Sequence, residues 1–201
     1  SKLRLFRGHA GRGRHSPSGA FIVMPISYIQ ALAEQYPNVQ CVCQGDGTVY
    51  EDLVLSGDVV PTKAELDASV LMLTQDALWV QIKDKRNLRK SSGVYVQGHW
   101  FHTNDTSRIQ FLGLVMMGAS IPTGIMWKTM TGAFVEMTPA LASAIFTQIS
   151  VHDTQTFGVA EAHYAAMLTA QDPGAYDFES PSCTPPWPQV YTDLYPNEPI
   201  Y

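Results

Sequence analysis

The sequence predicts an α+β fold: a small N-terminal helix/β-hairpin module, a linking helix, and a C-terminal domain of a β-hairpin plus a long α-helix. Three observations carry that prediction. Short alternating apolar segments face each other across glycine-containing turns. Thr62 and Glu65 form a capping box that opens a long apolar-periodic segment. A stretch beginning at Thr138-Pro139 then runs to Asp172-Pro173 with no strong helix breaker inside it.

Residues 1–23 are rich in Gly, Ser and Arg and show no lasting period, so they form a basic extended arm with little to bury against its backbone entropy. Arg4, Arg7, Arg12 and Arg14 are its candidate contacts. Of the 13 basic and 18 acidic side chains, five basic and no acidic ones lie in this arm, leaving a net −10 on the rest. A basic arm on an acidic body is an interaction signature. Nucleic acid is excluded as a partner, because the body would repel phosphate. Met24 is a candidate natural start, with residues 1–23 then an extension or an upstream translation.

Residues 24–61 make the small module. Ile26, Ile29, Leu32 and Ala33 share one side of a short helix ending before Pro37. Two strands follow, "VQCVCQGD" and "TVYEDLVLSGD", turning at Gly45-Asp46-Gly47. Residues 62–90 are the linking helix, with Leu66, Val70, Leu73, Ala77 and Val80 in a heptad-like seam that Leu71 and Leu78 widen. The seam packs either within its own domain or in a homo-oligomeric bundle.

Residues 91–180 form the next domain. Val94 and Val96 alternate with Tyr95 and Gln97 before a turn at Gly98. Asn104 or Asp105 caps a helix with Ile109, Leu112 and Met116 on one face, broken at Pro122-Thr123-Gly124. A hairpin around Thr131-Gly132 sets Met126, Lys128 and Met130 opposite Trp127 and Thr129. The helix Pro139–Leu168 carries Leu141, Ile145, Ile149, His152, Thr156, Val159 and His163 on one stripe, with Gly158 its soft spot. Residues 181–201 form a Pro-rich extended tail crossing a surface.

The stretch "GHWFHTNDTSR" raises the question of a metal or acid–base site. In a strand His99 and His102 point to opposite faces, and His152 and His163 sit roughly 16 Å apart along a helix, too far to share an ion. No HExxH, GxxxxGK[ST] or GxSxG pattern is present. The expectation is therefore no enzyme, no metal and no cofactor. Three cysteines, two of them Cys41 and Cys43, make no disulfide framework and suit a reducing cytosol. No apolar run reaches the length of a membrane helix. Trp100, Phe101, Trp127, Trp187 and Tyr191 are candidate anchors, for a partner or for the core.

The segments "GHWFHTNDTSR", "LGLVMMGASIP", "MWKTMTGAFVEMTPALA", "AEAHYAAM" and "DPGAYDF", in this order between residues 91 and about 182, resemble the phage and prophage domain of unknown function DUF4376. "MPISYIQALAEQYPNVQCVCQGDGTVYEDLV" and "PTKAELDA" look like the small N-terminal module of phage tail-fibre or tail-assembly proteins. The resemblance implies a C-terminal DUF4376-like domain in a tail-fibre- or baseplate-associated protein of the virion, made in the host cytoplasm. Other tail chains are the implied partners. An assembly chaperone and a fibre-tip adhesin binding host-surface glycan through Trp100, Trp127 and the C-terminal aromatics are the alternatives. The family brings no catalytic residues.

Overall fold

A computed structural model of the protein describes residues 25–200. The basic arm with Arg4, Arg7, Arg12 and Arg14, and Met24, lie outside the described residues. The fold is α+β, with five α-helices and three separate two-stranded antiparallel sheets among the described residues. Two compact units divide the chain between Ala77 and Leu78, inside a helix.

The first unit opens with α1 (Tyr28–Gln35), capped where Ser27 accepts the Gln30 N–H. Its buried pair is Ala31 and Leu32; Ile29 and Ala33 are exposed, contrary to the stripe expected from sequence. Ile26 precedes the Ser27 cap and does not share the helical period. Next, β1 (Gln40–Cys43) pairs with β2 (Leu53–Ser56), Cys41 opposite Leu55 and Val42 opposite Val54. The connection is wider than a tight turn at Gly45-Asp46-Gly47. Asp46 accepts both the N–H and the hydroxyl of Thr48, and Tyr50–Asp52 add a 3-10 turn. Gly47 lies close under α1: a Cβ there would meet Ile29 Cδ1 at 2.5 Å.

Helix α2 (Lys63–Ser91) begins with the expected capping box. Glu65 N–H donates to Thr62 Oγ1 at 3.3 Å, and Thr62 N–H donates to Glu65 Oε2 at 2.7 Å. The heptad seam does not persist. Leu66 and Ser69 are buried in the first unit, Leu78 and Ile82 in the second, while Leu71 and Val80 are exposed. Each half of the helix packs on its own unit, so no single stripe runs its length.

In the second unit β3 (Val94–Val96) and β4 (His99–Phe101) form a hairpin with Val96 opposite His99. Its two loop residues, Gln97 and Gly98, both have positive φ, as a two-residue hairpin turn twisted to match its strands requires. Asn104 caps α3 (Asp105–Met117), accepting the Ser107 N–H at 2.9 Å. That helix gives way to a 3-10 turn over Gly118–Ser120, before the predicted Pro122 break. β5 (Met126–Lys128) pairs with β6 (Phe134–Glu136); Met126 and Lys128 face out and Trp127 in, but Met130 is buried because the turn ends the alternation. Thr138 accepts the Leu141 N–H at the start of α4 (Pro139–Leu168), which Gly158 does not interrupt. Leu141, Ile145, Ile149, His152, Thr156 and His163 all point inward as their spacing predicts; Ala160 takes the place given to Val159. Phe101, Phe111, Ala142 and Ile145 are fully buried members of the main core.

Gly93 joins α2 to β3 at a φ of +96°, where a Cβ would lie 2.3 Å from Met130 Sδ and 3.2 Å from the Phe101 carbonyl. Gly93→Ala is therefore expected to lower stability by about 2 kcal/mol through backbone strain alone, with crowding added. Urea unfolding checks this, with Gly98→Ala as the control: its φ is +87°, but nothing lies within 4 Å. A midpoint lowered equally by both would remove crowding from the account.

Candidate functional site

The tail, expected to cross a surface as an extended segment, is fastened to the second unit. His163 of α4 is the centre of the fastening and is fully buried. Its Nδ1 lies 2.9 Å from Tyr176 Oη, its Nε2 3.8 Å from Cys183 Sγ, and Trp187 stacks on its ring at 5.2 Å. The Trp187 indole N–H donates to the Phe178 carbonyl at 2.8 Å. Lys85 on α2 pairs with Glu179 at 2.7 Å, and Arg89 pairs with Asp193 of the short helix α5 (Tyr191–Leu194). Sequence spacing could not group these residues, because His163, Tyr176, Cys183 and Trp187 follow no repeat. The only signal was a histidine on an otherwise inward stripe.

A Cys–His pair suggests a nucleophile, but the electrostatics oppose it. Burial pushes the Cys183 thiol up and the His163 imidazolium down, so both neutral forms are favoured. A reactive cysteine needs the opposite, a thiolate beside a cationic imidazole. Tyr176 is likewise raised, chiefly by burial. A 410 Å³ hollow beside them is lined by Arg89, Glu179, Trp187 and Asp193. Its charges are already paired, with each other or with Lys85.

His152, three stripe positions earlier, is also buried, and neither ring nitrogen has a hydrogen-bond partner among the described residues. Burial lowers its pKa, with Arg108 and Arg89 in the same direction and Asp153 opposing. For His163 the opposing groups are the Pro185 carbonyl and Asp177. Both histidines thus bind protons less readily folded than at their ordinary value of 6.5. The unfolded chain takes up more protons below that value, so stability is full above it and is lost as pH falls through the depressed folded values. The urea midpoint is expected to drop between about pH 7.5 and 5. His163→Gln and His152→Gln should each flatten that dependence; a slope unchanged in both would assign the acid sensitivity to other groups.

A second polar knot holds the loop before α3. Arg108 reaches both Asp153 oxygens at 2.7 and 2.9 Å and donates to the Thr103 and Lys90 carbonyls, each at 2.6 Å. This ties the end of α2, the loop after β4 and the middle of α4 to one guanidinium. A planar fork of five donors suits such convergence.

The aromatic candidates lie mostly inside. Trp100 is 5% exposed and meets Tyr191 edge-on at 6.0 Å; Phe101 and Tyr191 are buried. Trp127 lies 4.7 Å from Phe111, and Trp187 covers His163. Open apolar surface is found on the helix face that the sequence spacing groups. Ile109 is 70% exposed, Leu112 45% and Met116 80%, whereas Phe111 of the same helix is fully buried. From Phe111 to Met117 α3 carries no polar side chain, and an all-round apolar helix segment is ordinarily enclosed on every side.

Among the described residues no group of three or more His, Cys, Asp or Glu could hold a metal ion, and no helix is long and apolar enough to cross a membrane. The family model described as "Domain of unknown function (DUF4376)" matches residues 74–180. The match is mid-chain, which corrects the C-terminal placement read from sequence. It begins within α2, whose Leu78 and Ile82 are buried in the second unit, and it ends where the tail begins. No curated protein and no solved structure matches the chain.

Proposed function

The chain belongs to the DUF4376 family, and on that footing we propose that it is a bacteriophage tail structural or accessory protein, associated with the tail fibre or baseplate. It acts by protein–protein contacts and without turnover, in the virion. The observation that carries the reading is the outer face of α3: Ile109, Leu112 and Met116 are open on a helix with no charged side chain between Arg108 and Lys128. An uncharged apolar helix face on a folded surface is what a contact with another chain buries. The resemblance of the chain to tail-fibre-associated sequences supplies the setting. Residues 1–23, with Arg4, Arg7, Arg12 and Arg14, are in this reading a basic extension for an acidic neighbour.

Quantitative mass spectrometry of purified particles of the encoding phage, scaled to the major tail protein, tests the proposal. A fixed copy number in multiples of three or six is the expected result. Absence from particles with abundance in infected cells would reject the structural role in favour of an assembly chaperone.

A further inference from the structure

Whatever chains the protein meets, we infer that residues 176–193 are an acid-released strap: protonation of His163 lifts them from α4 while the main core stays folded. The first observation is what buries His163. The ring is fully buried, and its cover comes from the strap. Tyr176 lies at one ring nitrogen, Cys183 at the other, and Trp187 stacks on the ring. Lifting the strap is therefore the step that returns the imidazole to water.

The second observation is where the main core ends. Its buried members all lie between Val94 and Ile149, and none comes from the strap. The strap buries Phe178, Cys183, Val190 and Tyr191, and Tyr191 packs with Trp100 and Met130 in a separate cluster. Its one α-helix is the four residues of α5, and the Tyr191 N–H donates across to the Ser92 carbonyl at 3.2 Å. A segment without a sheet, outside the main core, belongs to the low-stability end of a fold and opens before the rest.

The third is the set of charges around the ring. Lys85 and Arg89 approach from α2 and are paired with Glu179 and Asp193 of the strap; Glu161 on α4 itself is exposed. Burial is the largest influence on His163 and disfavours the imidazolium, while the Pro185 carbonyl and Asp177 oppose it without outweighing it. Cys183 and Tyr176 hold their protons more firmly than usual, again through burial, so neither supplies a negative partner. The closed strap excludes the proton and the open strap admits it. Closure is complete above the ordinary histidine value of 6.5 and weakens as pH falls toward the depressed closed-state value.

The test is native-state hydrogen exchange of the full chain from about pH 7.5 to 5, read as protection relative to an unstructured chain at the same pH. Protection over 178–193 should fall by up to about tenfold for each pH unit below the ordinary histidine value, the limit for one proton. Protection within 139–149 should stay higher throughout. His163→Gln should remove the slope over the strap. Arg89→Gln, which loses the pair with Asp193 and leaves His163 in place, keeps the question open to test even where His163→Gln fails to fold. It should lower strap protection at every pH and keep the slope. Strap protection equal to that of 139–149 at every pH would mean that the strap opens only with the whole unit, and would overturn the inference. A strap slope that is absent in the wild type, that survives His163→Gln, or that Arg89→Gln abolishes would overturn it as well.

Discussion

Phe111→Ala is expected to destabilise the second unit by about 4 kcal/mol, the largest effect of any single substitution considered. Phe111 is fully buried, edge-on to Phe101 at 6.3 Å and against Trp127 at 4.7 Å. It is the residue through which α3 meets both hairpins. Truncation removes the ring and leaves a cavity whose walls are other rings, which cannot collapse into it. All four tryptophans lie in the unit that begins at Leu78, so tryptophan fluorescence follows this unit alone. The urea midpoint should fall sharply with an unchanged slope. Phe111→Leu, which keeps most of the volume, should fall about a third as far. A loss under about 1 kcal/mol for alanine would mean that α3 is not anchored through this ring.

Arg108→Ala is expected to cost about 3 kcal/mol, toward the lower part of the range for breaking a buried ion pair, because both partners keep some exposure. The loss exceeds that of one salt bridge, since two carbonyls and a carboxylate are stranded together. Arg108→Lys should rescue less than half of it: one ammonium cannot reach three acceptors laid out for a fork. Asp153→Asn, measured singly and with Arg108→Ala, isolates the pairwise part; two losses that simply add would show that the pair is not coupled.

These two residues also mark how far the sequence could be read. Local chemistry was legible. The Thr62–Glu65 box, the Thr138-Pro139 start, the Asn104 cap and the loop at Gln97-Gly98 each depend on neighbours a few residues apart, and each forms as spacing predicts. Direction was harder. Helix α3 has apolar residues on every side, so periodicity gives faces but not which one packs, and Phe111 decides it only through rings brought from β4 and β5. In α2 a seam that looked continuous serves two cores in turn. The His163 fastening was invisible because its members meet only after the chain reverses beyond α4. Arg108 and Asp153 are 45 residues apart and gave no local sign of pairing.

The fastening also fixes when this unit can finish folding. Lys85 meets Glu179 across 94 residues and Arg89 meets Asp193 across 104. During vectorial synthesis the helices and hairpins emerge first, and His163 leaves the ribosome before the aromatic and proline residues that cover it. Until residue 193 is clear of the exit tunnel, the nascent unit presents an open seam beside α4. A chain stopped between His163 and Glu179 therefore presents α4 without the strap that covers it. Closure across such sequence separations comes late, because loop entropy is lost before the contacts form.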